Sequence, residues 1–121
     1  MALVDVLIPT CRRKTGLAVV LTSLFGQAFT DFDVIISDQT PADEVYMDSI
    51  EIQTLIRGLR WRGHRVTVHR HLPRRGMAEQ RNFLLEQSRA PYVHFLDDDV
   101  LLDPLTMERM LDTLRREDIG F

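Results

Sequence analysis

Residues 92–99 read YVHFLDDD, an apolar run followed at once by three consecutive carboxylates. The apolar part is typical of a strand inside a sheet, and the three aspartates then stand where that strand ends. In open α/β sheets, ligands bind at the edge formed by the carboxyl ends of the strands. Three like charges this close repel one another unless a cation offsets them, and Mg²⁺ or Mn²⁺ prefers oxygen ligands. The stretch therefore indicates a metal-assisted site, with a solvated acidic loop or a helix cap as the alternative.

Strand and helix patterns alternate along the chain. Apolar runs predict four strands, over Leu3–Ile8, Asp33–Ser37, Val66–Arg70 and Tyr92–Leu96. Apolar residues at helical spacing predict helices over Leu17–Ala28, Ile52–Leu59 and Gly76 to about Ser88, and a last helix with Met107, Met110, Leu111 and Leu114. This alternation predicts an α/β fold with a parallel sheet and right-handed crossovers.

The last two helices carry more detailed expectations. In the helix that starts at Gly76, we expect Met77, Leu84 and Leu85 to face inward, and we expect the methionines of the last helix to belong to the core. Asp103 is expected to cap the last helix, with Pro104 at its first position.

Length and composition limit the class of protein. The 121 residues suffice for one domain or part of one, and no run of about 18 apolar residues predicts a transmembrane helix. The N-terminus opens as a strand without a basic leader, so we expect no signal peptide. The single cysteine, Cys11, excludes an internal disulfide and fits a reducing cytoplasm. We interpret it as a passive loop thiol.

Charge is distributed unevenly. Residues 53–78 contain seven arginines and no carboxylate, whereas the whole chain has a net charge of −3, so the remainder carries −10. A basic segment of this kind can meet nucleotide phosphates, an anionic acceptor, a membrane surface or RNA. The alternative is a solvated helix face.

Four motifs in order resemble a known family. Val6 to Thr10 with Arg12-Arg13 behind it resembles the opening of family 2 glycosyltransferases, and the run from Asp31 to Asp38 resembles their second strand with its carboxylate. Gly76 through Arg81-Asn82 is similar to the Gly-then-Arg-Asn pattern of their third helix. Phe95 to Asp99, followed by Pro104, is similar to their DXD element. The resemblance extends over essentially all of the chain.

This resemblance implies the Rossmann-like GT-A fold, a three-layer sandwich with a mostly parallel sheet. It implies that residues 1–121 are a partial GT-A domain, the half that binds the nucleotide-sugar donor. On this view the chain is truncated after the fourth strand and the following helix, and the acceptor half is absent. Asp118–Phe121 would then start a fifth strand.

The DXD resemblance also implies a metal site. It makes Asp99 the main ligand of Mn²⁺ or Mg²⁺, with Asp97 as a second ligand, and it places Asp97 or Asp98 on the ribose and the waters of the metal. A metal held there can bridge both phosphates of the donor and stabilise the charge of the leaving group.

Further donor contacts are implied at the ends of the first two strands. Pro9 and Thr10 end the first strand, where backbone groups would meet the nucleoside; the alternative is a plain turn. Asp38 ends the second strand and resembles the residue that binds the base or ribose; the alternative is a turn-forming aspartate. Gln39 stands where the family commonly has a second Asp, which puts a preference for uridine in doubt.

Two arginines and the missing base complete the implied site. Arg13 and Arg81 are candidates for phosphate or base contact, because a planar guanidinium suits phosphate oxygens, and structural salt bridges are the alternative. The family's inverting enzymes take their general base from beyond the DXD strand, so we expect it beyond residue 121 and expect the isolated chain to be inactive. The four histidines are interpreted as structural: His64, His69, His71 and His94.

The expected partners follow from the same resemblance. They are a nucleotide-diphosphate sugar as donor and a saccharide, lipid-linked or protein acceptor, with no nucleic acid. A truncated sheet would leave one edge bare, which favours self-association. We expect a cytoplasmic location, with peripheral attachment at the inner face of the membrane as an open alternative.

Three other classes compete with this interpretation. A nucleotidyltransferase would open with a glycine-rich loop, but residues 10–16 contain only Gly16. A phosphorelay receiver needs an acidic pair after its first strand and a late lysine, whereas the only lysine is Lys14. A non-catalytic nucleotide-sugar-binding or assembly module stays open.

Overall fold

The computed structural model describes residues 2–117, in which strands and helices alternate. In chain order the elements are β1 (Val4–Thr10), α1 (Lys14–Phe25), β2 (Phe32–Asp38), α2 (Ile50–Trp61), β3 (Val66–Arg70), α3 (Met77–Gln87), β4 (Tyr92–Phe95) and α4 (Thr106–Arg116). A 3₁₀ turn at Ala42–Glu44 precedes α2. The fifth strand expected at Asp118–Phe121 lies outside the described residues.

The four strands form one parallel sheet in the order β3-β2-β1-β4. The chain places β2 and β3 on one side of β1 and then returns to place β4 on the other side. This reversal is a topological switch point between β1 and β4. In open parallel sheets the crevice outside the carboxyl ends of the strands at such a point binds ligands. The predicted α/β fold with a parallel sheet is therefore confirmed, and its strand order points to one end of β1 and β4.

Helices cover both faces of the sheet, which explains why β1 and β2 are almost continuously apolar. Val6 and Ile8 belong to the larger core, where they pack with side chains of α1, α2 and α4. Leu7 belongs to a second core with Ile35 and Leu84 of α3. Within residues 2–117 the molecule therefore has three layers, with α3 on one face of the sheet and the other three helices on the opposite face.

Three side chains expected in the core are instead exposed. The exposed fractions of Met77, Leu85 and Met110 are 55%, 44% and 49%. Leu85 and Met110 line a groove of about 430 Å³ along β4, and Met77 begins α3 at the carboxyl edge of the sheet. The prediction was wrong for Leu85 and Met110 because they lie beside the short edge strand β4, and for Met77 because it lies at the carboxyl edge of the sheet.

The start of α4 also differs from the prediction. The helix begins at Thr106, not at Pro104. The carboxylate of Asp103 accepts a hydrogen bond from the backbone N–H of Leu105 at 2.9 Å, so it caps the turn that leads into the helix. None of the helices within residues 2–117 has the length and apolar character needed to cross a membrane.

The contrast between Leu84 and Leu85 gives a test of this packing. Leu84→Ala is expected to lower the free energy of unfolding by about 2–5 kcal/mol, because it leaves a cavity between α3 and the sheet. Leu85→Ala is expected to cost about 0.5 kcal/mol, since that side chain is partly in solvent. Urea unfolding followed by circular dichroism measures both values. Equal losses for the two variants would contradict this arrangement of α3.

Candidate functional site

A cavity of about 520 Å³ opens at the carboxyl edge of the sheet, at the switch point between β1 and β4. Its wall comes from the end of β1 and the loop after it, the residue after β2, the loop before α3 with its first turns, and the acidic turn (Asp97–Asp99) after β4. The lining residues are Pro9, Thr10, Cys11, Arg13, Gln39, Arg74, Met77, Gln80, Arg81, Asp97, Asp98 and Asp99. The structure thus brings together all the predicted site residues except Asp38.

A chain of hydrogen bonds holds the middle carboxylate of the acidic turn. The hydroxyl of Thr10 donates to Oδ2 of Asp98 at 3.0 Å, and the backbone N–H of Arg13 donates to the hydroxyl of Tyr46 at 3.1 Å. The Thr10 and Tyr46 hydroxyl oxygens lie 3.1 Å apart. Because the proton of Thr10 points to Asp98, Tyr46 is the donor of this bond. Asp98 is therefore turned toward the end of β1, while its two neighbours are more exposed.

Gly16 lets the acidic turn lie against the first turns of α1. A Cβ at this position would lie 2.1 Å from the carbonyl oxygen of Asp98 and 3.2 Å from its carbonyl carbon. A Cβ at this distance would force the backbone of the acidic turn to move away from α1. The close approach therefore requires glycine. In the sequence Gly16 stands out only as the one glycine of residues 10–16, so this role was not predicted.

The two outer carboxylates of the acidic turn open onto the cavity. The side chains of Asp97 and Asp99 are 61% and 58% exposed, and each pairs with an arginine. Nη2 of Arg81 lies 3.4 Å from Oδ1 of Asp97, and Nη1 of Arg13 lies 3.2 Å from Oδ2 of Asp99. Within residues 2–117 no three potential ligand side chains converge on one point. Mg²⁺ ordinarily takes one or two carboxylates plus substrate phosphates, so this donor set fits such a cation.

Burial changes the titration of the middle carboxylate. It raises the pKa of Asp98 above the ordinary value of 3.8, although the hydrogen bond from Thr10 and the charge of Arg13 act in the opposite direction. Asp98 therefore keeps its proton to a higher pH than an exposed aspartate does.

Asp38 lies behind the cavity wall and is fully buried. Its Oδ2 accepts a hydrogen bond from Nη1 of Arg70 at 2.6 Å, and its Oδ1 accepts one from the backbone N–H of Thr40 at 2.9 Å. The carboxylate thus braces the turn that carries Gln39 onto the wall. Its contact with the base or ribose stays a prediction. Gln39 itself is only 3% exposed, and its Nε2 has no hydrogen-bond partner in the part of the chain that the structure describes.

Gln80 is a wall residue that was not predicted from the sequence. Its Nε2 donates to the backbone oxygen of Ser37 at 2.9 Å and lies 3.5 Å from the backbone oxygen of Thr10. It therefore ties α3 to the carboxyl ends of β1 and β2. Gln80 and Leu84 are one helical turn apart on the buried face of α3. A polar residue in the buried stripe of a helix was the signal for this role, since buried polar groups need partners.

Cys11, Arg74 and Met77 also line the cavity without having been predicted there. The thiol of Cys11 donates to the backbone oxygen of Gln39 at 3.4 Å, which links the loop after β1 to the turn after β2. Arg74 belongs to the arginine-rich segment of residues 53–78. Its position just before the helix predicted from Gly76 could have indicated that it lies near the cavity.

The histidines lie away from the cavity wall. Nδ1 of His64 lies 2.6 Å from the backbone oxygen of Phe32, and the His71 ring pairs with the Glu79 carboxylate at 2.6 Å. Burial within the sheet lowers the pKa of His94, which favours its neutral form. These contacts support the interpretation of the histidines as structural residues.

The sequence of this chain resembles those of known proteins. The family model described as Glycosyl transferase family 2 matches residues 5–121, nearly the whole chain. The chain belongs to glycosyl transferase family 2. A Haemophilus influenzae protein described as an uncharacterized glycosyltransferase is 27% identical over 114 residues, which are 94% of this chain. This family 2 chain spans about a third (35%) of that relative.

Solved structures show the fold of the family 2 chain. S. aureus TarS matches with a TM-score of 0.73 at 20% identity, over 93% of this chain and 19% of TarS. A shorter TarS chain in complex with UDP-GlcNAc gives 0.71 at 21% identity, over 93% of this chain and 31% of that one. The mannosyltransferase PcManGT from Pyrobaculum calidifontis, in complex with GDP-Man and Mn²⁺, gives 0.72 at 19% identity, over 93% and 32%. The predicted GT-A fold is confirmed.

The close approach at Gly16 predicts an unusual sign for a helix substitution. An alanine in place of a helical glycine ordinarily stabilises by about 0.5–1 kcal/mol. Gly16→Ala is instead expected to lower the free energy of unfolding by about 1–3 kcal/mol, because its Cβ collides with the carbonyl of Asp98. Gly26→Ala is the control, since its Cβ would meet nothing nearer than 3.8 Å. Urea unfolding measures the free energy of unfolding of both variants. A higher value for Gly16→Ala than for the unmodified chain would contradict the close approach of Gly16 to Asp98.

The raised pKa of Asp98 predicts a pH-dependent effect. The folded chain binds the proton of Asp98 more tightly than the unfolded chain does. Protonation of Asp98 therefore stabilises the fold at acid pH, and this stabilisation is lost as the pH rises through the folded pKa. Asp98→Asn keeps an acceptor for Thr10 and removes the charge. It is therefore expected to raise the free energy of unfolding at pH 7, with a gain that shrinks toward the ordinary pKa of 3.8.

The control for this comparison is Asp97→Asn, which changes an exposed carboxylate of the same turn. Urea unfolding of both variants at pH 7 and near pH 4 measures the difference. A gain for Asp98→Asn that is the same at both pH values would show that the buried charge is not its cause.

Proposed function

We propose that this chain binds the nucleotide-diphosphate part of a sugar donor in the cavity between the ends of β1 and β4, as part of a glycosyltransferase. The observation that carries the proposal is the meeting, at the switch point of a family 2 domain, of two outward carboxylates with three guanidinium groups. The TarS complex with UDP-GlcNAc and the PcManGT complex with GDP-Man and Mn²⁺ support it, since both proteins share the fold.

Each wall element has a role in this proposal. Asp99 and Asp97 hold Mn²⁺ or Mg²⁺, and Asp98 fixes the turn that carries them. When bound, the divalent cation neutralises the charge that develops on the leaving diphosphate. Arg13 and Arg81 add charge-assisted hydrogen bonds to the phosphates.

The nucleoside lies toward the ends of β1 and β2 in the same proposal. Pro9 and Thr10 present the end of β1, and Gln39 offers an amide that can both donate and accept a hydrogen bond to the base. Asp38 keeps Gln39 in place through its bonds to Arg70 and to the turn.

The transfer step needs residues outside the described part. All the carboxylates on the cavity wall belong to the acidic turn, and the proposal uses them for the cation and for support. For an inverting transfer we therefore expect the general base, and the contacts to a saccharide, lipid-linked or protein acceptor, in the part of the enzyme beyond residue 121. The relative's greater length is consistent with this division.

Two further expectations stay proposals. The apolar groove along β4 supports self-association through that side of the sheet. We place the protein in the cytoplasm, with attachment at the inner membrane face as the alternative.

A calorimetric titration tests the donor site. UDP, GDP, CDP and dTDP are titrated into the chain, each with and without Mn²⁺. We expect one of them to bind in a Mn²⁺-dependent way, and Asp99→Ala to weaken that binding by at least the ~10–100-fold that is typical when a residue supporting a metal ligand is lost.

Asp112→Ala is the matched control, because it removes an exposed carboxylate of α4 that does not line the cavity. It should bind like the unmodified chain. Binding that needs no Mn²⁺, or that survives Asp99→Ala, would contradict the metal role of the acidic turn. If a folded chain bound none of the four nucleotides, the proposal of a complete donor site in this chain would be wrong.

A further inference from the structure

The carboxylates of the acidic turn are paired with guanidinium groups. Nε of Arg13 lies 3.8 Å from Oδ1 of Asp98, and its Nη1 lies 3.2 Å from Oδ2 of Asp99. On the other side of the turn, Arg81 lies 3.4 Å from Asp97 and has its guanidinium 5.7 Å from the centre of the Phe95 ring. A cation that binds Oδ2 of Asp99 therefore competes with Arg13 for that oxygen.

The formal positive and negative charges of the side chains on the cavity wall are equal in number. Three aspartates face three arginines, which are Arg13, Arg74 and Arg81. A divalent cation alone adds positive charge next to these arginines, and a diphosphate alone adds negative charge next to the aspartates. Either ligand by itself is opposed by like charges, whereas the two together restore the balance.

A second observation on the wall, independent of these charges, is a buried polar group without a partner in the described residues. The amide nitrogen of Gln39 is buried without a hydrogen-bond partner in the described residues, and the residue is only 3% exposed. Buried polar groups nearly always have partners. A ligand that fills the cavity and reorders the Gln39 amide would supply one.

We propose that Arg13 is an exchangeable counter-ion of the donor site. Its guanidinium pairs with Asp99 and lies near Asp98 in this structure, and it moves onto the diphosphate when a divalent cation takes Asp99. This inference rests on the proposed function. It makes the binding of the cation and of the nucleotide mutually dependent, because each ligand gains from the rearrangement that the other requires.

The surroundings of Arg13 suit such an exchange. Its backbone N–H is fixed by the hydroxyl of Tyr46, whereas its side chain is 56% exposed. An ion pair in this position contributes little and is easily replaced. The neighbouring Arg12 differs, since its side chain turns away to Glu44, with Nε 2.6 Å from Oε2. Arg12 therefore provides a matched control with the same charge one residue away.

The test compares Arg13→Gln with Arg12→Gln and the unmodified chain. Mn²⁺ affinity is measured without nucleotide, from the electron paramagnetic resonance signal of free Mn²⁺. Nucleotide affinity is measured with saturating Mn²⁺, using the one of UDP, GDP, CDP and dTDP that binds in the titration above. We expect Arg13→Gln to tighten Mn²⁺ binding by about two- to fivefold, the range of an exposed ion pair, and to weaken nucleotide binding by about tenfold or more.

Arg12→Gln is expected to change neither value, and Arg13→Lys to keep Mn²⁺ binding close to that of the unmodified chain because it keeps the charge. Opposite effects on the two ligands are the signature of exchange, since a merely structural role would weaken both. Mn²⁺ binding that is unchanged or weaker in Arg13→Gln would overturn the exchange, while Mn²⁺-dependent nucleotide binding by the unmodified chain would leave the proposed function standing. If the unmodified chain binds neither ligand, the proposed function fails and the exchange fails with it.

Discussion

The hydrogen bond from Thr10 to Asp98 is the contact on which the candidate site depends. It joins the end of the central strand to the turn after β4, two points 88 residues apart in the sequence. Its donor is held in turn by Tyr46, and Gly16 leaves the space that the turn occupies. One carboxylate is fixed inward by this bond, whereas the other two face the cavity, each paired with an arginine. The acidic run thus becomes an arrangement with distinct inner and outer positions.

Burial separates two kinds of arginine–aspartate pair in this molecule. Arg70 meets an Asp38 that has no exposure at all, so removing Arg70 would leave the buried charge of Asp38 unpaired. Arg13 meets Asp99 in solvent, where a pair contributes little. The same two residue types therefore build the frame in one case and a replaceable contact in the other. The basic segment likewise divides its arginines among separate tasks, since Arg60 donates to a backbone oxygen of β3 while Arg74 lines the cavity.

Much of this architecture could be predicted from local patterns. Apolar runs and helical stripes gave the strands and helices in order, because burial on one or both faces leaves a clear period in the sequence. The place of the acidic turn followed from the strand before it. The exposure of Leu85 and Met110 could not be predicted, since it depends on their position beside β4, at the end of the strand order. Nor could the inward position of Asp98, which needs a neighbour on a distant strand.

The length and place of β4 have a consequence for motion. This strand has four residues, pairs only with β1 among the described strands, and none of its residues is fully buried. Strands of this kind belong to the least protected part of a fold and open locally at a smaller cost than the whole chain unfolds. If β4 separated from β1, the acidic turn would move away with it, while β1, β2 and β3 would stay paired. The site therefore joins β4 to β1, and a ligand bound there adds contacts that oppose this local opening.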